Sequence, residues 1–230
     1  MNSDSTIVYR HEYKYILDCV TAMKLYQEFG VYLLPDTFSQ NGAYRVKSLY
    51  FDSLQNIDFY AKMDGEQVRK KIRLRIYNET DKKAKLELKA KEENGQYKSS
   101  ITISKEDALL LCNGSFTPIL QYDSDKANTI YTMMSCGGYR PSVLVEYDRY
   151  AFMYPEFDTR ITFDHHMKAS ETDLRLFDSD NLYQHIMQDR VVLEVKFNQH
   201  LTGFIHDILS KYKLNQVAVS KYCNSRTLFT

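Results

Sequence analysis

The feature that most constrains this chain is the alternation of charge and hydrocarbon over Val68–Tyr77. In a strand, residues two apart share a face. Arg69, Lys71, Arg73 and Arg75 therefore project to one side, and Val68, Ile72, Leu74 and Ile76 to the other. Taken alone, such a segment reads as the wet face of an antiparallel strand. Four long cations in a row repel one another, however, by amounts comparable to cross-strand pair terms of about 0.2–1 kcal/mol each. A fold keeps such a row more readily when something anionic neutralises it.

The pattern recurs along the chain. Glu87, Lys89 and Lys91 oppose Leu86 and Leu88, and Arg10, Glu12 and Lys14 share a face. Glu194 and Lys196 oppose Leu193, Val195 and Phe197, while Arg160, Thr162 and Asp164 oppose Ile161 and Phe163. Tyr147 and Arg149 fall together in the segment 145–149. If the apolar faces pack against helices, the charged faces are left to line a polar interior.

Eight strands are expected: Tyr9–Leu17, Tyr44–Asp52, Val68–Tyr77, Ala84–Lys91, Gln96–Ile103, Ser142–Phe152, Arg160–His165 and Val191–Phe197. Short polar turns such as Glu93-Asn94-Gly95 separate several of them. Asp18 is placed to cap a helix running to about Gly30, and Ser104 with Asp107 resembles a capping box before a helix ended by Asn113-Gly114. Asp123 to Cys136, closed by Gly137-Gly138, and Leu201 to Tyr212 read as further helices. The expected fold class is α+β: an eight-stranded antiparallel β-barrel with flanking helices, in one domain spanning 1–230. A sandwich would give a similar string of strands.

The chain has 30 basic and 30 acidic residues, so no basic excess marks a nonspecific nucleic-acid binder, and none is expected as a partner. The four cysteines are widely spaced with no CxxC pair, which argues against a zinc site and fits reduced thiols in a cytoplasmic protein. No apolar run is long enough to span a bilayer. GxxxxGK[ST] and HExxH are both absent.

A cationic face with a few carboxylates has a specific chemical use. Arg binds phosphate oxygens through its fork and Lys binds them as a point charge. Carboxylates can hold Mg2+ or Mn2+, which bridge phosphate oxygens.

The motifs Tyr9-Arg10-His11-Glu12-Tyr13-Lys14-Tyr15, Ser48-Leu49-Tyr50-Phe51-Asp52, Lys71-Ile72-Arg73-Leu74-Arg75, Leu86-Glu87-Leu88-Lys89, Tyr147-Asp148-Arg149, Leu193-Glu194-Val195-Lys196-Phe197 and Ser220-Lys221-Tyr222 resemble, in this order, the successive signatures of the VTC domain. This is the polyphosphate polymerase branch of the triphosphate tunnel (CYTH-like) metalloenzymes. The resemblance implies a tunnel in which the γ-phosphate of ATP passes to a growing polyphosphate chain, with Mn2+ or Mg2+ required. It implies that Lys14, Arg73, Arg75, Glu194 and Lys221 act on the transferred group. Arg10, Lys71, Lys89, Tyr147, Arg149, Arg160 and Lys196 would contact phosphates, and Glu194, Glu12 and Glu87 would serve the metal. The wider superfamily opens with Glu-x-Glu-x-Lys, and Arg10 stands at the first of these positions, which favours the polymerase-like branch.

Two other functions fit the same residues: a triphosphate or polyphosphate hydrolase with water as acceptor, and a noncatalytic polyphosphate-binding module. His165-His166 suggests a metal cluster, but neighbours on a strand point to opposite faces, so both are expected to be structural or on the surface. The Lys82–Lys85 run reads as a solvated turn entering a strand.

Overall fold

Alternation of charge and hydrocarbon becomes strand wherever it was read. A computed structural model describes residues 10–92 and 95–229. Its long strands are β1 (Arg10–Asp18), β3 (Tyr44–Ser53), β4 (Arg69–Ile76), β5 (Lys83–Glu92), β6 (Gly95–Ser104), β7 (Tyr139–Tyr154), β8 (Thr159–Ser170) and β10 (Arg190–Asn198). Two further strands, β2 (Leu34–Pro35) and β9 (Gln184–His185), are two residues each. The helices are α1 (Cys19–Tyr32), α2 (Ile57–Met63), α3 (Lys105–Cys112), α4 (Asp125–Cys136), α5 (Gly203–Ser210) and α6 (Lys221–Arg226). None is long and apolar enough to cross a membrane.

Capping set the helix starts. Asp18 accepts from the Thr21 amide at 2.8 Å, Ser104 from Asp107 at 3.1 Å and Ser124 from Ala127 at 3.1 Å. α4 ends at Gly137, where a Cβ would lie 2.7 Å from the Met133 carbonyl oxygen, and Gly138 follows at φ +58°.

Strand pairing runs in the order β1-β10-β8-β7-β3-β4-β5-β6, with β2 on β7 and β9 on β8. Among the described residues no pairing joins β6 back to β1, so the strand path is an open ten-stranded sheet rather than the expected closed eight-stranded barrel. Alternation fixes the face of each strand but carries no information on whether end strands meet. The turn residues Glu93 and Asn94 lie outside the described residues.

The chain divides into two compact units. The first comprises residues up to Tyr44 with Asp148–His166 and Met187–Val219, and the second Arg45–Tyr147, Met167–Ile186 and the segment from Ser220. In the first, Leu17, Ile161, Phe163, Leu193, Val195 and Phe197 pack with Leu25 and Phe29 of α1 and Ile205 and Ile208 of α5. In the second, Ile72, Leu74, Leu86 and Leu88 pack with Leu111 of α3 and Ile130 and Met134 of α4. Each fully buried aliphatic side chain contributes about 1.5–3 kcal/mol. Because helices cover the apolar face of the strands in each unit, the charged face is left on the other side.

Candidate phosphate-binding faces

In the second unit the charged face is built by register. Tyr50 of β3 lies opposite Arg73 of β4, Arg73 opposite Glu87 of β5, and Glu87 opposite Ser100 of β6. One row along, Lys71, Lys89 and Lys98 fall opposite one another across β4, β5 and β6. Like charges directly opposite are destabilising, so this row is kept against its own repulsion. Arg69, Lys71, Arg73, Arg75, Lys85, Lys89, Lys91 and Lys98 share the face, and Glu87 is its carboxylate among the described side chains of β4, β5 and β6. A chain of zero net charge thus sets eight of its 30 basic residues on one strand face.

Glu87 is buried and held on three sides. Arg73 Nε donates to its Oε2 at 2.8 Å, Arg75 Nη1 lies 3.7 Å from the same oxygen, and Lys98 Nζ lies 2.5 Å from Oε1. Burial pushes the carboxyl's pKa up, but Arg73, Arg75 and Lys98 outweigh burial and hold it well below the usual carboxylate range. Arg73 also donates to the Tyr50 hydroxyl at 3.1 Å, and Arg75 Nε lies 3.5 Å from Ser48 Oγ. The arginine forks are therefore oriented before any ligand arrives.

Lys71 Nζ donates to Ser220 Oγ at 2.6 Å, and Ser220 caps α6 by accepting from the Cys223 amide. The first residue of that helix, Lys221, sets its Nζ 4.9 Å from the ring centre of buried Tyr147. The helix is anchored by Tyr222, whose hydroxyl donates to Asp52 and whose ring stacks on Tyr50 at 5.2 Å. Asp52 in turn accepts from the amides of Asp58 and Phe59, both at 3.0 Å, where α2 begins. One buried carboxylate thus ties together α2, α6 and, through Tyr222 and Tyr50, the Arg73 guanidinium.

In the first unit, Lys14 of β1 faces Glu194 of β10, and Glu12 faces Lys196. The lysines are shared between the carboxylates. Lys14 Nζ lies 3.1 Å from Glu12 and 3.4 Å from Glu194, and Lys196 Nζ lies 3.8 Å and 3.3 Å from the same two. Glu194 is buried and Glu12 half-buried. Arg149 forms a two-pronged pair with Asp164, at 2.6 Å and 2.7 Å, and its Nη2 lies 3.8 Å from Glu194. Arg160 pairs with Asp36 at 2.6 Å and donates to the Tyr44 hydroxyl at 3.0 Å.

Two orphaned polar atoms lie on β8 where it pairs with β10. Thr162, directly across from Glu194, has a buried Oγ1 with no hydrogen-bond partner, as does Arg160 Nε opposite Lys196. Buried polar groups are ordinarily paired, so their state suits a site that a ligand completes. Paired carboxylates with a neighbouring hydroxyl are hard oxygen donors of the kind Mg2+ and Mn2+ take. Glu12 and Glu194 are donors of this kind, each ion-paired here with Lys14 and Lys196. Glu87, clamped by three cations, has the surroundings of an orienting group.

The structure therefore brings Lys14, Glu12, Glu194, Lys196, Arg149 and Arg160 together in one unit, and Lys71, Arg73, Arg75, Glu87, Lys89, Tyr147 and Lys221 in the other. The side chain of Arg10 lies outside the described residues. Lys98, Tyr50, Asp52 and Thr162 join these faces without having been singled out for binding. Register was the missing signal, since nothing in the β6 sequence marks Lys98. The placement of His165 and His166 on opposite faces is corrected. The backbone at His166 is left-handed, at φ 51°, and brings the two Nδ1 atoms within 3.1 Å.

The chain matches the VTC domain family over residues 9–230 and belongs to it. No curated protein sequence matches it. Among solved structures, an adenylyl cyclase candidate of Hippeastrum, described as having a dominant triphosphatase activity, aligns at TM-score 0.59 and 14% identity, covering 95% of this chain and 96% of its own. An adenylate cyclase candidate of Bacillus halodurans aligns at TM-score 0.54 and 14% identity, over 91% and 92% of the two chains. At these identities the likeness shows a shared fold alone.

Proposed function

We propose, taking membership of the VTC domain family as the premise, that this chain transfers the γ-phosphate of ATP onto a growing polyphosphate chain with the help of Mg2+ or Mn2+. The observation that carries the reading is the strand face on which eight cations meet one buried carboxylate. Such a surface is stabilised by a closely spaced polyanion and strained without one. Arg73 and Arg75, oriented by Glu87 and Tyr50, offer forks to equatorial phosphoryl oxygens. Lys71, Lys89 and Lys221 add point charges, and Tyr147 holds Lys221 in place.

On the other charged face, Lys14, Lys196, Arg149 and Arg160 bind phosphate oxygens, and Glu12 and Glu194 hold the metal. When bound there, the metal would supply charge neutralisation to phosphate oxygens. No covalent enzyme intermediate is needed, because phosphoryl transfer can proceed by positioning and charge stabilisation alone.

The test is incubation of purified protein with ATP and Mn2+, with and without a short polyphosphate primer. Products are read on a gel stained for polyphosphate, alongside a free-phosphate assay. Growing chains with ADP release are expected. Orthophosphate without chains would replace the reading with hydrolysis, and neither product with polyphosphate still bound would leave a binding module.

A further inference from the structure

Three further ligand-type side chains converge on β7 and β8. His165 Nδ1 lies 3.1 Å from His166 Nδ1, and His166 Nδ1 lies 3.0 Å from Asp148 Oδ2. The ligand atoms of all three residues fall within 4.8 Å of one another. Asp148 and His165 are half-buried, and His166 is exposed. We propose that Asp148, His165 and His166 form a second metal site that takes a divalent first-row transition ion such as Zn2+.

Three observations support the site. First, two of the three spacings fit, at 3.1 Å and 3.0 Å. A tetrahedral zinc with ligand bonds of about 2.0–2.1 Å sets neighbouring ligand atoms roughly 3.3 Å apart. Second, an ion would use lone pairs that the cluster by itself leaves to solvent. A neutral imidazole carries one N–H. A proton on His166 Nδ1 serves Asp148 or His165 and leaves the other acceptor to water at this exposed position, whereas a cation accepts a lone pair from each of the three. Third, the chain departs from regular strand geometry to make the cluster. His166 adopts φ 51°, and without that departure neighbouring side chains would face opposite ways.

The donor set separates this site from that of Glu12 and Glu194. Two imidazoles and one carboxylate suit zinc and its neighbours, whereas a set of oxygens suits Mg2+. Asp148 and His165 immediately adjoin Arg149 and Asp164 in the chain. An ion here joins β7 to β8 beside the Arg149–Asp164 pair and stabilises the strands that carry it.

The test uses the whole untagged chain, stripped with chelator and held in excess Mg2+. Zn2+ is titrated against a chromophoric chelator, and Co2+ is added separately to read its visible absorption. One equivalent of zinc is expected with micromolar affinity, together with a Co2+ d–d spectrum and a rise in melting temperature on zinc addition. His166→Ala and Asp148→Asn should each weaken binding at least tenfold and abolish that rise. His165→Gln provides a third readout should either variant fold poorly. Absence of stoichiometric zinc binding, or binding as tight in the folded variants as in the wild type, would overturn the proposal and leave an Asp–His hydrogen-bonded pair only.

Discussion

Replacing Glu87 with Gln removes the carboxylate against which Arg73, Arg75 and Lys98 are set, and the cost can be worked from the structure. The Glu87 side chain is 4% exposed, and those of Arg73 and Arg75 are 24% and 11%. Breaking one partner of a buried pair costs about 3–5 kcal/mol. Arg73 keeps some access to water, which places the loss at the low end, about 3 kcal/mol. Lys98, at 57% exposed, adds less than about 1 kcal/mol.

The sign of the pH dependence follows from the depressed carboxyl pKa. Its stabilisation is present above the unfolded value of about 4.3 and is lost as pH falls below it toward the folded value. The assay is urea denaturation at pH 7 and again under acid, with and without tripolyphosphate. Glu87→Gln is expected to be less stable at pH 7, with the gap narrowing below about pH 4. Anion at a hundredfold excess over Kd should restore about 2.7 kcal/mol. A variant as stable as the wild type at pH 7 without anion would refute the argument that Glu87 balances the cations.

Glu194→Gln should keep tripolyphosphate binding within a few fold while losing at least about a hundredfold in turnover, read by product release and calorimetry in parallel. Asp58, to which the Tyr139 hydroxyl donates at 2.5 Å, is pushed up to about 6, chiefly by burial. Its contribution is full below the unfolded value of about 3.9 and is lost as pH rises through 6. Relative to Asp58→Asn, the wild type should therefore lose about 3 kcal/mol between pH 4 and 7 in denaturant titrations. Tyr222→Phe leaves Asp52 without one of its donors and should cost about 1–3 kcal/mol in thermal unfolding, with weaker phosphate binding because Lys221 and Arg73 lose their anchor.

Strand positions and faces were legible in the sequence because period-two alternation is a local property. The residues of β4 show at once which side carries cations. Pairing was not legible, and pairing is what sets Lys71, Lys89 and Lys98 in one row and puts Thr162 opposite Glu194. The helix α2 escaped notice because it is seven residues long and its first amides are satisfied by Asp52, several residues upstream. The strands β2 and β9 are too short to show a period. The histidine pair was misplaced because one left-handed residue, His166, reverses what alternation implies. Closure of the sheet depends on how end strands meet, which no residue pattern encodes.

The central claim is that the cationic strand face exists to hold a phosphate chain. Calorimetric titration of tripolyphosphate into wild type and into Lys89→Ala, an exposed member of the lysine row, tests it most directly. The account expects saturable binding that weakens steeply with salt and falls several fold in the variant, whose stability is equal to or slightly above that of the wild type because the row's repulsion is relieved. No binding by the wild type, or identical binding and salt dependence in both proteins, would contradict it.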